Sequence, residues 1–338
     1  MSGSKADILA ALRGQTPAQL PVSLLGGGAW TMVQNGIGFR EAALDPVRLA
    51  GAIVSTARRL GRGIVFVGGG FNNALPAALA RTELVWPDPS PPVPARILPV
   101  DPSIRCRVKE LAQSRTVETV QEATRRVADR LGDQFPVTMV SWGPFTVAGQ
   151  VFGPQALLRL CLGNPGLLRS FTAMAQEAVL EFYRPVLDSV DIVYLAEPLA
   201  SGDLISPRMF AEFVAEPLSE LFSSLTGGGE RAGLLHICGR TADRLQAVAR
   251  IRGLSAFSFD SLVSLALARD GLAGLGMGGN IDPLLLYGAG PSEIRAGVQR
   301  ALAELREHRG FVLMPGCDLA PATPWRNIEA FLSVTDEH

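Results

Sequence analysis

Short apolar runs recur along the chain and alternate with longer stretches in which apolar residues follow a helical period. Such runs, bounded by glycine, proline or charged residues, are typical of buried strands. The predicted strands are residues 20–25, 63–67, 136–141, 191–196, 233–237, 256–259, 271–276 and 310–315. The predicted helices are residues 41–60, 116–132, 154–184, 207–226, 241–252, 261–269, 292–309 and 324–334.

Strands that alternate with helices predict a parallel sheet in an α/β protein, and eight such units favour a (β/α)8 TIM barrel over an open sheet. We expect one domain over residues 1–338, with an N-terminal extension before the first strand. Residues 68–115 follow the second strand and are rich in proline and glycine. They predict a long loop excursion over the barrel mouth.

Composition narrows the class of protein. The 338 residues are 47% hydrophobic and carry a formal net charge of -1. Because no basic run stands out, we expect no nucleic-acid partner. The chain has no stretch of about 18 apolar residues without charge, so no membrane span is predicted. The N-terminus also lacks the apolar block of a secretory signal. Four cysteines do not make a disulfide framework in a chain this long, so we expect a reducing, cytoplasmic location.

Two metal-competent side chains, His236 and Cys238, stand two residues apart at the end of the fifth predicted strand. Residues i and i+2 of a strand point to the same side. Cys317 follows the eighth strand and so belongs to the same rim of a barrel. One imidazole and two thiolates suit zinc, and three ligands leave the fourth tetrahedral position for a reactant. The sequence therefore predicts a catalytic zinc site, with a structural zinc or an ordinary core histidine as alternatives.

Other polar residues follow strands at the same predicted rim: Glu197, Asp260, Asn280 and Asp282. The glycines at 68–70 lack the Lys-Ser/Thr of a phosphate-binding loop and predict a tight turn or an active-site loop. Residues 276–280 are interpreted as a turn after the seventh strand. Cys106 and Cys161 have no partner at ligand spacing, so we expect ordinary buried or surface thiols there. His308 lies on a charged predicted helix and His338 is the last residue, so we expect both to be solvated.

Two longer motifs contain the candidate ligands. The first is His-Ile-Cys-Gly-Arg-Thr at residues 236–241. The second is Gly-Cys-Asp at residues 316–318, followed by Pro-Ala-Thr-Pro-Trp-Arg-Asn at residues 321–327. With these motifs the chain resembles the zinc-dependent methyltransferase branch of the uroporphyrinogen decarboxylase superfamily, which includes the methylcobamide:coenzyme M methyltransferases. Residues 197–207 are similar to the branch's acidic-Pro, Gly-Asp and Ser-Pro stretch.

The resemblance implies a TIM barrel whose Zn2+ is held by His236, Cys238 and Cys317. It also implies methyl transfer between a methylcobamide (corrinoid) carried on a partner protein and a thiol such as coenzyme M, or another small nucleophile. Glu197 and Asp318 are the candidate catalytic residues, as acceptors that orient His236 or a bound substrate.

Two segments depart from the superfamily pattern. Residues 25–30 contain no arginine, whereas the decarboxylases use an arginine-containing segment there to hold substrate carboxylates. Residues 71–79 contain no acid, whereas methyltransferase relatives often place a glutamate there. The alternatives are a corrinoid-free zinc methyltransferase resembling cobalamin-independent methionine synthase, a decarboxylase-like lyase, and a non-enzymatic corrinoid-binding barrel whose zinc is fully enclosed.

Overall fold

A computed structural model describes residues 3–87, 90–104, 108–305 and 309–336. Its strands are β1 (Val65–Val67), β2 (Leu84–Val85), β3 (Val93–Pro94), β4 (Val137–Trp142), β5 (Ile192–Ala196), β6 (Ala232–Ile237), β7 (Ala256–Phe259), β8 (Gly276–Ile281) and β9 (Phe311–Pro315). Within this described part, β1 and β4 to β9 pair in parallel, in chain order, as one seven-stranded sheet. The strands β2 and β3 form a separate antiparallel pair.

Most of the helices connect the strands and cover the outside of the sheet, whereas the first one packs against the barrel interior. They are α1 (Lys5–Leu12), α2 (Gly28–Gln34), α3 (Phe39–Ala42), α4 (Pro46–Leu60), α5 (Ala74–Leu79), α6 (Arg115–Leu131), α7 (Pro144–Phe152), α8 (Pro154–Gly163), α9 (Pro165–Tyr183), α10 (Pro207–Phe210), α11 (Glu216–Leu225), α12 (Leu245–Val248), α13 (Leu265–Gly271), α14 (Pro283–Gly288), α15 (Pro291–Leu305) and α16 (Trp325–Ser333). The predicted α/β, TIM-barrel-like fold is confirmed.

The segment predicted as the first strand, residues 20–25, closes the curled sheet. Val22 makes a parallel bridge to Leu313 of β9, although the segment is not a regular strand. On the other side, the backbone N–H of Ile64, just before β1, donates a 2.9 Å hydrogen bond to Ser23 Oγ. Regular pairing stays short because Pro21 has no N–H to donate, and because Gly26 turns the chain with φ 63°.

The barrel interior is a separate apolar cluster to which alternate strand residues contribute. Ile192, Tyr194 and Ala196 of β5 belong to it, together with Ala232 and Leu234 of β6. The N-terminal extension forms α1, and its buried residues Ile8, Ala11 and Leu12 join the same cluster. The alternation along β6 continues to His236, so the period of the strand directs this side chain into the barrel.

The seventh predicted strand was placed too early. Residues 265–271 form α13, and the strand β8 begins at Gly276. The prediction of a turn over residues 276–280 is therefore also wrong. Glycines are needed in this part of β8 because neighbouring atoms approach the strand closely. A Cβ at Gly276 would lie 2.5 Å from Ala11 O, and one at Gly278 would lie 3.1 Å from Met314 Sδ.

Several predicted helix boundaries also changed. The predicted helix over residues 154–184 is two helices, because Asn164 caps α9 and Pro165 occupies its first position. The predicted helix over residues 41–60 begins at Pro46, where Asp45 accepts hydrogen bonds from the first turn. The helix α7 was not predicted. Its apolar composition at residues 144–152 left no amphipathic period to detect.

The excursion after β1 contains α5, the antiparallel pair β2 and β3, and a 3₁₀ helix at Val108–Gln113. Cys106 of this excursion, like His308 and His338, lies outside the described residues. None of the helices in the described ranges is long and apolar enough to cross a membrane.

Candidate metal centre

Three side chains from two distant strands meet at the carboxyl rim of the barrel. His236 is the fifth residue of β6, Cys238 follows the end of that strand, and Cys317 follows β9 by two residues. Their candidate ligand atoms all lie within 4.8 Å of one another. Because β7 and β8 separate β6 from β9 in the sheet, only the curvature of the barrel brings Cys317 to the pair.

The spacing of these atoms fits one small metal ion. His236 Nε2 lies 3.1 Å from Cys238 Sγ, and Cys238 Sγ lies 3.3 Å from Cys317 Sγ. Tetrahedral zinc with ordinary Zn–S and Zn–N bond lengths separates its ligand atoms by roughly 3.5–3.8 Å. A soft set of one nitrogen and two sulfurs at this separation is able to hold zinc with one position left open.

The second nitrogen of the imidazole is held by a residue that sequence reasoning missed. Ser258 Oγ lies 3.1 Å from His236 Nδ1. The two residues are cross-strand partners in the register of β6 and β7, and Ser258 is fully buried. This contact directs Nε2 toward the sulfurs. Neither Glu197 nor Asp318 occupies that position.

The two thiols behave as a coupled pair. The hydrogen bond from the Cys238 thiol, together with nearby His236, lowers the pKa of Cys317 to about 4, although burial opposes this. The same hydrogen bond and burial raise the pKa of Cys238. Cys317 therefore ionises readily, and its thiolate accepts a hydrogen bond from the Cys238 thiol. A negative charge at this position favours the binding of a cation.

Asp318 lies beside the sulfurs and anchors a glycine-rich loop. Its Oδ1 accepts hydrogen bonds from the backbone N–H groups of Gly27 and Leu319. Burial raises the pKa of Asp318 to about 6, although the hydrogen bond from Gly27 opposes this rise. Gly26 must stay without a side chain here, because its φ is 63° and a Cβ would lie 3.1 Å from Asp318 Oδ1.

This loop packs against a second glycine turn. Gly28 approaches the backbone of Gly69 so closely that a Cβ at Gly28 would overlap its carbonyl group. Gly68 and Gly70 have φ values of 80° and 82°. The glycines at 68–70 therefore form a tight turn, one of the two structures predicted for them.

Glu197 is buried behind the site and binds the start of α7. Its two oxygens accept hydrogen bonds from the backbone N–H groups of Phe145 (3.0 Å) and Thr146 (2.7 Å). Burial raises the pKa of Glu197 to about 7, although these hydrogen bonds oppose the rise. A Cβ at Gly143 would collide with its carboxylate. The backbone N–H of Glu197 also donates to His236 O, so this residue ties α7 to β6.

A cavity of about 150 Å³ opens beside the three ligand candidates. It is lined by Leu25, Gly26, Gly69, Gly70, Asn72, Asn73, Pro91, Val140, Trp142, Tyr194, Ala196, His236, Cys238, Cys317 and Asp318. Asp318 thus faces the cavity, whereas Glu197 is not among its lining residues. Typical ligand pockets measure roughly 300–1,000 Å³, so the space inside this cavity suits a small reactant.

Hydrogen bonds fix the excursion to the side of this cavity. Trp142 Nε1 donates a 3.0 Å hydrogen bond to Asn73 Oδ1, and Asn73 Nδ2 donates one of 3.0 Å to Pro92 O. Tyr194 of β5 is buried nearby, and burial together with the neighbouring thiols and Asp318 raises its pKa well above the usual range. Its phenol therefore stays protonated. The sequence analysis did not single out Tyr194. The signal for it is the strand period, which directs Tyr194 and Ala196 to the same side of β5.

The other predicted rim residues hold the loops. Asp260 Oδ2 accepts a 2.9 Å hydrogen bond from Gly239 N, directly after Cys238. Asp282 caps α14 by accepting from Leu284 N, and Asn280 Nδ2 donates to Val263 O. The structure does not bring Asn280 or Asp282 to the cavity.

A larger cavity, of about 680 Å³, lies elsewhere, between α3, α5, the β2–β3 pair and the start of α6. Two of the three arginines that line it are engaged: Arg81 pairs with Glu110, and Arg115 pairs with Glu118. It contains none of the candidate ligands. The smaller cavity is therefore the better candidate for a reaction site.

The fold and the rim together define a TIM-barrel-like protein with a candidate His-Cys-Cys metal site. The uroporphyrinogen decarboxylase (URO-D) family model matches residues 4–338. The chain therefore belongs to the uroporphyrinogen decarboxylase family.

Methyltransferases are among its relatives. The methylcobamide:CoM methyltransferase MtaA of Methanosarcina barkeri is 27% identical over 233 residues, which are 68% of this chain and 66% of that protein. The chain thus spans just under two thirds of this relative's length. The methylated-thiol–coenzyme M methyltransferase of Methanosarcina mazei is 24% identical over 79% of this chain and 71% of that protein. A solved structure of a methyltransferase from Methanosarcina mazei superimposes with a TM-score of 0.86 at 25% identity, covering 98% of each chain.

Proposed function

We propose that this protein is a zinc-dependent methyltransferase. It transfers a methyl group between a methylated corrinoid carried on a separate protein and a thiol or another small nucleophile. The observation that carries this proposal is the convergence of His236, Cys238 and Cys317 at the side of a small cavity. The methylcobamide-using relatives support the corrinoid as the second reactant.

The donor set suits the activation of sulfur. A free thiol has a pKa near 8.5 and is mostly protonated at neutral pH, whereas only the thiolate attacks a methyl group well. Zinc held by His236, Cys238 and Cys317 would ionise a thiol that occupies its open position. Two cysteinate ligands keep the charge on the bound sulfur high, because they neutralise the ion before the substrate arrives. The corrinoid would supply the methyl group, and the electron pair of the cobalt–carbon bond would remain with the corrinoid.

Asp318 and Glu197 take different parts in this proposal. Asp318 lines the cavity next to Cys317, so it acts on the bound reactant or on the loop at Gly26 and Gly27. Glu197 serves as a positioning residue, because its carboxylate holds the start of α7 and its backbone holds the end of β6.

A decarboxylase reaction on a polycarboxylate is less well supported. Such a substrate needs cations to balance its carboxylates. Among the described residues, no lysine or arginine lines the cavity. A porphyrinogen turnover assay should therefore show no activity.

Metal analysis combined with single variants tests the proposal. We expect about one zinc per chain in the native protein, and a sharp loss in both Cys238→Ala and Cys317→Ala. Cys161→Ala is the matched control, because this thiol is buried in α8, away from the site. The native and control proteins should transfer methyl groups from methylcobalamin to a thiol, and the two site variants should not.

Two results would reject parts of the proposal. If either site variant retained its zinc in full, the proposal that these three residues bind zinc together would be wrong. Transfer that is equally fast without any corrinoid would instead favour the corrinoid-free methyltransferase.

A further inference from the structure

The electrostatic character of the cavity restricts the substrate. Apart from the three ligand candidates, its lining residues are apolar or neutral side chains, with Asp318 as the one acid. None of the described lining residues is a lysine or an arginine. Zinc with two cysteinates has no net charge, so it supplies no surplus positive charge to a second group. Asp318 adds none in either protonation state.

An anionic group at the far end of a substrate would therefore be poorly accommodated. Moving a sulfonate or carboxylate out of water into such a cavity costs several kcal/mol unless a cation or several donors replace the water. Because the cavity is small, at about 150 Å³, the far end of a short thiol that binds within it lies near the thiolates and Asp318.

Two neutral hydrogen-bonding groups do face the cavity. Tyr194 is only 4% exposed, and its hydroxyl has no hydrogen-bond partner among the described residues. Asn72 Oδ1 accepts a hydrogen bond from Gly70 N, and its Nδ2 has no partner in the part of the chain that the structure describes. A phenol and an amide that are not engaged by the protein are suited to a neutral polar group on a ligand.

From these observations we infer that the small-molecule substrate of this site is a short, uncharged thiol, whose non-reacting polar group is bound by Tyr194 and Asn72. This inference rests on the proposed function, because the thiol is the methyl acceptor in that reaction. It separates this chain from enzymes whose thiol carries a sulfonate, as coenzyme M does.

A matched pair of thiols tests the inference by binding rather than turnover. The zinc-loaded protein is titrated calorimetrically with 2-mercaptoethanol and with 2-mercaptoethanesulfonate, which share the thiol and differ in the charge of the other end. We expect the neutral thiol to bind at least about tenfold more tightly, which corresponds to about 1.4 kcal/mol.

Two variants locate the effect. Tyr194→Phe should weaken 2-mercaptoethanol about fivefold, the size of one lost hydrogen bond, while zinc affinity stays unchanged. Asn72→Lys should shift the preference toward the sulfonate about tenfold. Leu162→Lys adds the same charge at an exposed position of α8 and should shift nothing.

The possible failures are distinguishable. If the native protein binds the sulfonate thiol as tightly as the neutral one, the inference is wrong and the proposed methyl transfer stands. If neither thiol binds although zinc is held, the inference is overturned together with methyl transfer to a thiol, and only another small nucleophile would be left as the acceptor. If Tyr194→Phe and Asn72→Lys both leave the preference unchanged, these residues do not contact the substrate.

Discussion

The contact between Ser258 and His236 shows how much one neutral residue contributes at the candidate metal centre. An imidazole that binds a metal through Nε2 needs its Nδ1 proton held, because this contact sets both the tautomer and the orientation of the ring. Ser258 Oγ is 3.1 Å from Nδ1 and fully buried, so water does not replace it easily.

We predict that Ser258→Ala weakens zinc binding about 10- to 100-fold without unfolding the protein, because the imidazole loses its orientation. Competition with a chromogenic chelator measures the affinity. The control is Ser255→Ala, which removes a hydroxyl just before β7, at the end of that strand away from the metal centre, where it accepts a hydrogen bond from Gly233 N. Equal zinc affinity in Ser258→Ala and the native protein would show that Nδ1 has another effective partner.

At the scale of elements, a buried carboxylate that follows β5 binds the first turn of the helix α7. Glu197 accepts hydrogen bonds from the first turn of the helix, where backbone N–H groups have no partners within the helix. The positive end of the helix dipole favours a negative charge there. Burial nevertheless raises the pKa of Glu197 to about 7, so desolvation outweighs both favourable effects.

The raised pKa predicts that the difference in stability between the native protein and Glu197→Gln depends on pH. An unfolded glutamate ionises near pH 4.5 and the folded one near pH 7. The folded state therefore keeps a proton that the unfolded state has lost, and its stability falls as the pH rises through this window. Glutamine cannot ionise. As the pH rises from about 4.5 to about 7, the free energy of unfolding of Glu197→Gln should therefore increase relative to that of the native protein, by up to about 3 kcal/mol.

Unfolding in urea on either side of that window provides the measurement. Glu220→Gln, at an exposed position of α11, is the control and should show no such trend. A constant difference between Glu197→Gln and the native protein at all pH values would mean that Glu197 ionises as it does in water.

At the scale of the whole molecule, closure of the barrel creates the candidate site. Cys317 reaches His236 only because the sheet curls until the segment around Val22 bridges β9 on one side and contacts β1 on the other. This closure depends on few bonds. On the β1 side, the described hydrogen bond runs from Ile64 N to the hydroxyl of Ser23.

Ser23→Ala should therefore destabilise the molecule by about 1–3 kcal/mol, because the buried N–H of Ile64 is left without an acceptor. The free energy of unfolding in urea measures this loss. Ser224→Ala removes an exposed hydroxyl that bonds within its own helix and should change stability by less than about 0.5 kcal/mol. Equal stability of the two variants would show that the hydrogen bond between Ile64 N and Ser23 Oγ does not contribute to closure of the barrel.

The amino-acid sequence by itself determined the class of fold and the candidate ligands. Apolar strand runs alternating with helical stretches are local patterns, and they predicted the parallel α/β barrel before any contact was known. The i, i+2 spacing of His236 and Cys238 is equally local. The strand β8 was predicted at residues 271–276 because Gly276, Gly278 and Gly279 resemble a turn in sequence. In the barrel these glycines lie within the strand and accommodate close neighbours.

Only the tertiary structure decided which residues surround the ligands. The register between β6 and β7 places Ser258 against the imidazole. The loop after β1 brings Asn72, and the end of β4 brings Trp142, to the cavity beside Tyr194. It also turned Glu197 toward a helix end that the sequence pattern did not predict. The physical reason is that strand period specifies which side a residue faces, whereas pairing across strands and burial specify what it meets there.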